Sequence, residues 1–379
     1  VEKAFAEVRH LICYSVKANS NLTLLSLLER KGAGFDVVSG GELERVRRAG
    51  IDTHRTVFSG VGKTEEEIDA GIACGLLLFN VESAGELDLL EQRALSLRKN
   101  VSVAIRINPN VGAETHPYIA TGQVVHKFGV PRAEAVRLYE RIKNSKFLEA
   151  RGVACHIGSQ ILDPQPHLEA LKQLRSLADE LRNRGFEIQY LDLGGGYGIR
   201  YREENPFDLN RLARDIGLEL AGSPYRLILE PGRSVIGDAG ILLAKVLYVK
   251  RNGPKRFVVL DAGMSDLIRP ALYGAYHEIR PLERRGGEKF LADVVGPICE
   301  TGDFLALERE MEPVEAGDLV AVLTAGAYGF VLASNYNSRL RPAEVLVDQD
   351  QTELIRPREN FEDLLSAEEQ CLHAVKESG

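Results

Sequence analysis

Between residues 11 and 230 the chain alternates eight times between a short apolar, β-prone run and a longer stretch of mostly helical character. The runs are Leu11–Val16, Phe35–Val38, Thr56–Phe58, Leu76–Phe79, Val101–Ile107, Val153–Ile157, Ile188–Leu193 and Leu227–Leu229. Amphipathic stretches separate most of them, such as Glu42–Ala49, Glu65–Ala73, Ser83–Leu97, Arg132–Ile142 and His167–Arg184. Apolar residues three and four apart favour helices, and short apolar runs bounded by turn residues favour strands. Eight such alternations within about 230 residues are the pattern of a (β/α)8 barrel, an α/β fold of the TIM-barrel type. A doubly wound sheet competes, but it rarely needs eight strand–helix units in one domain. We therefore expect a barrel over residues 1–238.

The texture changes after about residue 238. Gly237–Leu243 can be read as a helix, but Ala244–Val249, Phe257–Leu260, Phe290–Val295, Leu319–Leu323 and Ala343–Val347 read as strands with Gly, Pro and Asp turns between them. The expectation is a mostly β C-terminal domain over 239–379, whose last segment, Leu354–Gly379, is a charged helix that frays toward its end. A barrel plus an addition also suits a length of 379 residues, beyond what one small core serves.

Composition narrows the partners. A net charge of −8 and the lack of any Lys/Arg run argue against nucleic-acid binding. No apolar stretch approaches a membrane span, and the opening residues have no leader-like pattern. Five scattered cysteines, Cys13, Cys74, Cys155, Cys299 and Cys371, form neither a zinc spacing nor a small disulfide framework. The expectation is a cytoplasmic protein without a metal centre. The first residue is Val rather than Met, which leaves two readings open: residues before it are missing, or the β domain lacks a strand.

In a (β/α)8 barrel the active site lies at the C-terminal ends of the strands. Polar and glycine-rich residues follow the strand runs here. Lys17 follows the first, Asp36 and Ser39-Gly40-Gly41 mark the second, and His156 with Gly158-Ser159-Gln160 closes the sixth. Gly194-Gly195-Gly196 ends the seventh and Glu230-Pro231-Gly232-Arg233 the eighth. Each has a bland reading beside the chemical one. Lys17 is either a lysine reaching past its strand into solvent, or a buried amine that gives up its proton and forms a Schiff base. The glycines are a flexible turn or a close approach to a phosphate. His156 is a satisfied core imidazole or a ligand contact. Glu230, at the end of an apolar strand, needs a cation, which Arg233 or a protonated pyridine nitrogen would supply.

A Schiff-base lysine, a phosphate loop and a carboxylate for a pyridinium are together the requirements of pyridoxal 5′-phosphate. A carboxylate that keeps the ring nitrogen protonated makes the cofactor a strong electron sink, suited to the carbanion left by a departing carboxylate. A racemase would do better with a weaker partner.

With these residues in view, the chain resembles the diaminopimelate decarboxylase family, within the alanine racemase-like class of pyridoxal phosphate enzymes. The resemblance spans about Leu11 to Leu365. It rests on Tyr14–Asn19, Asp36–Leu43, Thr115-His116-Pro117-Tyr118, His156–Gln160, Gly194–Gly196, Glu230–Arg233, Asp261–Tyr273, Cys299–Asp303, and Ala325–Gly329 with Ser334–Ser338. It departs from the family in one respect: members usually carry several tens of residues before the lysine strand, and here sixteen precede Lys17.

The resemblance implies that Lys17 forms the Schiff base, that His156 stacks on the cofactor ring and that Glu230 bonds the pyridine nitrogen. It implies a phosphate site at Ser159, Gly194, Gly195, Gly196, Gly232 and Arg233, closed by Tyr328. Arg233, Arg269 and Tyr273 match substrate-carboxylate contacts, and Glu300 matches the acid near the substrate amine. Cys299 matches the proposed proton donor, with water as the alternative. Cys299 and Glu300 would reach the cofactor of a neighbouring subunit, which implies a homodimer with shared active sites. The substrate, meso-2,6-diaminopimelate, keeps a distal carboxylate and ammonium after one end joins the cofactor. Arginines suit the first and a glutamate the second. The bland readings are a surface ion pair for Arg269 and a small core residue for Cys299. Two other functions are weighed: a decarboxylase of ornithine or arginine, which would favour an acidic pocket without distal arginines, and a pyridoxal phosphate carrier, which would leave the β domain unexplained.

Overall fold

Each of the eight apolar runs contributes a strand, and the eight close into a parallel barrel in chain order. The strands are β1 (His10–Ser15), β2 (Gly34–Val37), β3 (Thr56–Phe58), β4 (Leu78–Val81), β5 (Val101–Arg106), β6 (Leu148–Ala154), β7 (Tyr190–Asp192) and β8 (Arg226–Leu229). Between and after them run α1 (Leu22–Arg30), α2 (Gly40–Arg48), α3 (Glu65–Cys74), α4 (Ala84–Leu97), α5 (Arg132–Lys143), α6 (Gln165–Asn183), α7 (Leu209–Leu220) and the single turn α8 (Arg233–Ile236). The computed structural model describes residues 1–111 and 127–377, so Thr115–Tyr118 lies outside the described residues. The chain divides into two units, Val1–Gly237 and Asp238–Gly379.

Helix starts are set by local side chains. Asn21, Ser39, Ser83 and Asp208 each accept a backbone N–H at the head of α1, α2, α4 and α7, and Thr64 with Glu67 forms a capping box on α3. β6 begins five residues before the sequence suggests. Its first half alternates buried Leu148 and Ala150 with part-exposed Glu149 and Arg151, and those charges break up the apolar signal.

Inside the barrel Leu11, Cys13, Val57, Leu78, Ala104, Ala154 and Ile228 form one apolar cluster. Side chains alternate across a strand, so the residue two further along faces the same way. Two residues beyond six members of this cluster stand Ser15, Ser59, Asn80, Arg106, His156 and Glu230. Asp36 and Asp192 supply β2 and β7. The barrel is therefore apolar in its middle layer and polar at every strand's C-terminal end.

In the second unit a six-stranded sheet has the order β11-β14-β9-β10-β12-β13. Its strands are β9 (Leu242–Asn252), β10 (Lys255–Leu260), β11 (Ile279–Pro281), β12 (Phe290–Val295), β13 (Phe304–Met311) and β14 (Leu319–Val322). β15 (Glu344–Asp348) and β16 (Gln351–Arg356) make a separate hairpin, and the helices are α9 (Arg269–Tyr273) and α10 (Phe361–Glu377). Val246, Val258, Leu260, Val294, Leu305, Val320 and Val322 lie at its core.

The expected helix over Gly237–Leu243 does not form. Glycine at 237 and 240 disfavours it, and the Gly240 carbonyl instead accepts the Ala325 N–H at 2.8 Å while the chain enters β9. β13 went unread because Glu308, Arg309 and Glu310 interrupt its apolar face, and Leu354–Arg356 belongs to β16 rather than to the terminal helix. None of the five cysteines is in a disulfide, and no described helix is long and apolar enough to cross a membrane.

The pairing of β5 with β6 slips between Val103 and Ala104, and Tyr139 repairs the gap. Its buried hydroxyl donates to the Gly152 carbonyl at 2.6 Å and accepts the Ile105 N–H at 3.0 Å. Tyr139→Phe would strand both backbone groups. We expect a loss of about 1–3 kcal/mol, read as a lower denaturation midpoint at unchanged slope; an unshifted midpoint would show that the hydroxyl carries no such load.

Candidate active site

β1 ends at Ser15, and one 3-10 turn, Val16–Ala18, carries Lys17 beyond it with Val16 and Ala18 buried as anchors. The Lys17 Nζ lies 3.3 Å from Asp36 Oδ2; the lysine side chain is 38% exposed and the aspartate fully buried. Ser15 Oγ sits 3.0 Å from both Asp36 Oδ2 and the Glu230 carbonyl, and the Ser15 N–H donates to the Pro231 carbonyl at 3.1 Å. The lysine turn is thus tied to the turn after β8. Lys17 is neither an unpaired buried amine nor a solvent tether: an ion pair with a buried carboxylate sets its place.

Behind it lie two more buried acids, Asp192 and Glu230. Asn80 Nδ2 donates to Asp192 Oδ2 at 2.8 Å and to Ser59 Oγ at 3.0 Å, and Ser59 Oγ reaches Glu230 Oε1 at 3.5 Å. The Gly194 N–H donates to Asp192 Oδ1 at 3.0 Å. Burial, then the negative charges of Asp192 and Asp36, push the Glu230 carboxyl well above its ordinary range, with Lys17 pulling the other way. Burial also raises Asp192, to about 6, against hydrogen bonds from Asn80, Glu230 and Gly194. Of the two, Glu230 is pushed further toward its protonated form, while Asp192, held by Asn80 and the Gly194 N–H, carries the charge more readily.

Neither acid forms an ion pair among the described residues. Arg233, the protein partner that the sequence offered for Glu230, instead donates Nη1 to the Tyr201 hydroxyl at 2.6 Å and Nη2 to Ser159 Oγ at 3.1 Å. A buried carboxyl pushed toward its protonated form and left without an ion-pair partner among the described residues is what a pyridinium nitrogen would satisfy. In that respect the residues fit pyridoxal phosphate.

His156 accepts the Gly195 N–H on Nδ1 at 3.1 Å, which leaves the ring proton on Nε2. Burial, then the positive charges of Arg106 and Lys17, push its pKa well below 6.5, so the ring is neutral. The Gly195 carbonyl lies 3.1 Å from Nε2 of buried His167, which stacks on Tyr197 at 5.0 Å between centroids. The peptide at Gly195 is therefore gripped from both sides.

The three glycines are no flexible turn. Gly194 and Gly196 have φ of +69° and +94°. A Cβ on Gly195 would stand 2.0 Å from the Glu230 carbonyl, and one on Gly196 2.3 Å from the Gly158 carbonyl. Glycine is required here so that the loop after β7 can press on the ends of β6 and β8. Gly232 is similarly confined, its Cβ position 3.0 Å from Ala18 Cβ.

The second unit holds the other expected residues. Arg269 and Tyr273 are one turn apart on α9, and Arg269 is buried, which excludes a surface ion pair. Its Nη1 lies 2.9 Å from Nε2 of fully buried His277. Cys299 is exposed rather than packed in a core, and its N–H donates to Asn337 Oδ1 at 2.7 Å. Glu300, also exposed, accepts the Tyr336 hydroxyl at 3.3 Å. Asp303 sets this turn: its carboxylate accepts the Met264 and Ile298 N–H groups, each at 2.6 Å. Tyr328 adopts a left-handed backbone, φ +56°, beside buried Ala327.

Asp192, Asn80, Ser59, Tyr201 and His277 were not singled out from sequence. Asp192 and Asn80 did leave a trace, as polar residues placed two beyond an inward-facing position of their strands. Tyr201 and His277 left none, because only tertiary folding brings them to their arginines.

Residues 1–237 match the family model described as the pyridoxal-dependent decarboxylase, pyridoxal binding domain. The diaminopimelate decarboxylase of Aquifex aeolicus is 52% identical over 364 residues, 95% of this chain and 86% of that one. That of Pseudomonas aeruginosa is 49% identical over 96% of this chain and 88% of its own. Among solved structures, diaminopimelate decarboxylase from Helicobacter pylori complexed with L-lysine matches with a TM-score of 0.94 and 44% identity, covering 97% of this chain and 92% of that one. The chain belongs to the diaminopimelate decarboxylase family of pyridoxal-dependent decarboxylases.

A carboxyl whose pKa is raised on folding binds more protons in the native state. Its contribution to stability is full below the ordinary value of 4.5 and falls as pH rises through the raised one. Glutamine mimics the protonated acid without titrating. In cofactor-free protein, stability should decline less steeply above pH about 4.5 in Glu230→Gln than in the wild type. Denaturation midpoints taken across pH give the comparison, and parallel curves would refute the raised acid.

Proposed function

We propose that the protein decarboxylates meso-2,6-diaminopimelate to L-lysine and carbon dioxide, the last step of lysine biosynthesis, with pyridoxal 5′-phosphate as cofactor. The observation that carries this reading is a buried carboxyl at Glu230, in no ion pair among the described residues, set in one mouth with the Lys17–Asp36 pair. When bound, the cofactor supplies an aldehyde for amines and a protonated ring that takes up the electron pair left by the departing carboxylate.

The chain's own residues divide the remaining work. Lys17 would hold the cofactor through its Nζ, the amine that would meet the aldehyde, and Asp36 keeps that amine in the mouth. Glu230 would hold the ring nitrogen and, as a carboxylate beside it, would keep that nitrogen protonated. His156 would hold the cofactor ring with a neutral imidazole, so no second positive charge would compete for Glu230. Ser159, Gly194–Gly196, Gly232 and Arg233 hold the phosphate, with Tyr328 closing over it, and the bonds from Arg233 to Tyr201 and Ser159 give its guanidinium a fixed plane.

Arg233, Arg269 and Tyr273 take the substrate carboxylates, and Glu300 takes the distal ammonium. After the carbon–carbon bond breaks, the proton returns to carbon from the Cys299 thiol or from water. The barrel, residues 1–238, carries the cofactor, and residues 239–379 complete the substrate site and form the interface of a homodimer whose active sites are shared. The exposure of Cys299 and Glu300 supports this, since an exposed turn is free to meet a second copy. We place the enzyme in the cytoplasm, in keeping with a chain in which no described helix suits a membrane and no cysteine is in a disulfide.

The test is carbon dioxide release from meso-diaminopimelate beside ornithine and arginine. We expect turnover of the first alone, with one L-lysine formed per carbon dioxide. Release from ornithine in preference to diaminopimelate would overturn the substrate, and release from none would favour a carrier. Lys17→Ala should abolish both turnover and the visible absorbance of the bound cofactor; lysine production retained in that variant would contradict the role of Lys17.

A further inference from the structure

We propose that His277 is the positioning residue for Arg269: a neutral imidazole that fixes the plane of the guanidinium without cancelling its charge, and so sets the enzyme's preference for substrates with a distal carboxylate. This rests on the reading of Arg269 as the group that meets that carboxylate.

The geometry begins with the turn after α9. Gly274 adopts a left-handed φ of +62°, its N–H closes on the Pro270 carbonyl at 3.0 Å, and the chain doubles back. Eight residues after Arg269, His277 therefore returns to it, and the imidazole Nε2 lies 2.9 Å from Arg269 Nη1. The other ring nitrogen, Nδ1, lies 2.9 Å from the Leu323 carbonyl.

Those two partners decide the tautomer. A carbonyl accepts only, so Nδ1 carries the proton; a guanidinium donates only, so Nε2 offers a lone pair. The ring is neutral, and a second proton would point an N–H at the arginine. His277 is itself held on several sides. It is fully buried, its carbonyl accepts Arg309 Nη1 at 2.8 Å, and the Leu323 N–H donates to the carbonyl of Glu278 at 2.8 Å. Arg309 in turn lies over the Tyr276 ring, 4.0 Å from its centroid. The imidazole is thus a rigid post running from the end of β14 to the arginine.

A carboxylate at this place would hold the guanidinium as firmly but would neutralise it. A long polar side chain would hold it less firmly. A buried, singly protonated imidazole provides a fixed acceptor and no charge, as it does behind a metal ion when its second nitrogen is anchored by a carbonyl.

The experiment uses the cofactor-loaded enzyme and two competitive ligands, L-lysine, which carries the distal carboxylate, and 1,5-diaminopentane, which lacks it. His277→Gln keeps an acceptor near the Nε2 position and gives up the donor to Leu323. His277→Asn does the reverse. We expect the Asn variant to raise KM for diaminopimelate by about 10–100-fold, with kcat changed far less, and to lose most of the preference for lysine over diaminopentane. The Gln variant should keep most of that preference. A role confined to folding would lower stability in both variants and leave the ligand preference alike in both, and that result overturns the proposal. Arg269→Ala is the control. If it leaves the lysine preference intact, the reading of Arg269 itself falls. If it abolishes the preference while both His277 variants retain it, only the role of His277 falls.

Discussion

Glu230 and Asp192 sit together inside a closed barrel with no ion pair to either among the described residues, and the sharing of charge within that pair shapes the rest of the mouth. Two adjacent buried carboxyls cannot both ionise cheaply. One is pushed further toward its protonated form, and the other is stabilised by Asn80 and the Gly194 amide. The same pair explains the loop after β7. Gly194 must turn back to cap Asp192, and Gly195 must pass within van der Waals reach of the Glu230 carbonyl, so both positions exclude a side chain. His156, bonded to that loop, is kept neutral by the burial that also pushes Glu230 toward its protonated form. The mouth thus joins one raised carboxyl, one neutral ring and one paired amine.

Two lysines of the barrel, Lys63 and Lys17, show what separates structure from chemistry. Lys63 is less exposed than Lys17, yet its three donors are all taken, by Glu86 at 2.6 Å and by the Gly60 and Asn80 carbonyls at 2.8 Å each. It fastens the loops after β3 and β4 and has no proton to spare. Lys17 is half-buried beside one carboxylate, on a turn held by Ser15 and Gly232. Depth of burial alone would point to Lys63 rather than to the lysine proposed to engage the cofactor.

Much of this was legible in the sequence, for a geometric reason. Strand side chains repeat every two residues, so the polar residue after each apolar run falls on the inner face at one end of the barrel. Lys17, Asp36, His156 and Glu230 could be read that way. Asp192 and Asn80 obey the same rule, but Asp192 lies inside a run read as apolar, and Asn80, directly after its run, was not singled out. Charged outer residues concealed the first half of β6 and most of β13. The support of the arginines was beyond reach: Tyr201 meets Arg233, and His277 meets Arg269, through turns whose course depends on left-handed residues and long-range packing. Thr115–Tyr118, quoted for the family resemblance, lies outside the described residues.

The account turns on Lys17 being the amine that engages the cofactor. The direct measurement is to load the protein with pyridoxal phosphate, reduce it with borohydride, digest it and map the pyridoxyl group by mass spectrometry. The account predicts a single labelled peptide carrying the group on Lys17. The group on Lys63 or any other lysine, or no stoichiometric label, would contradict it.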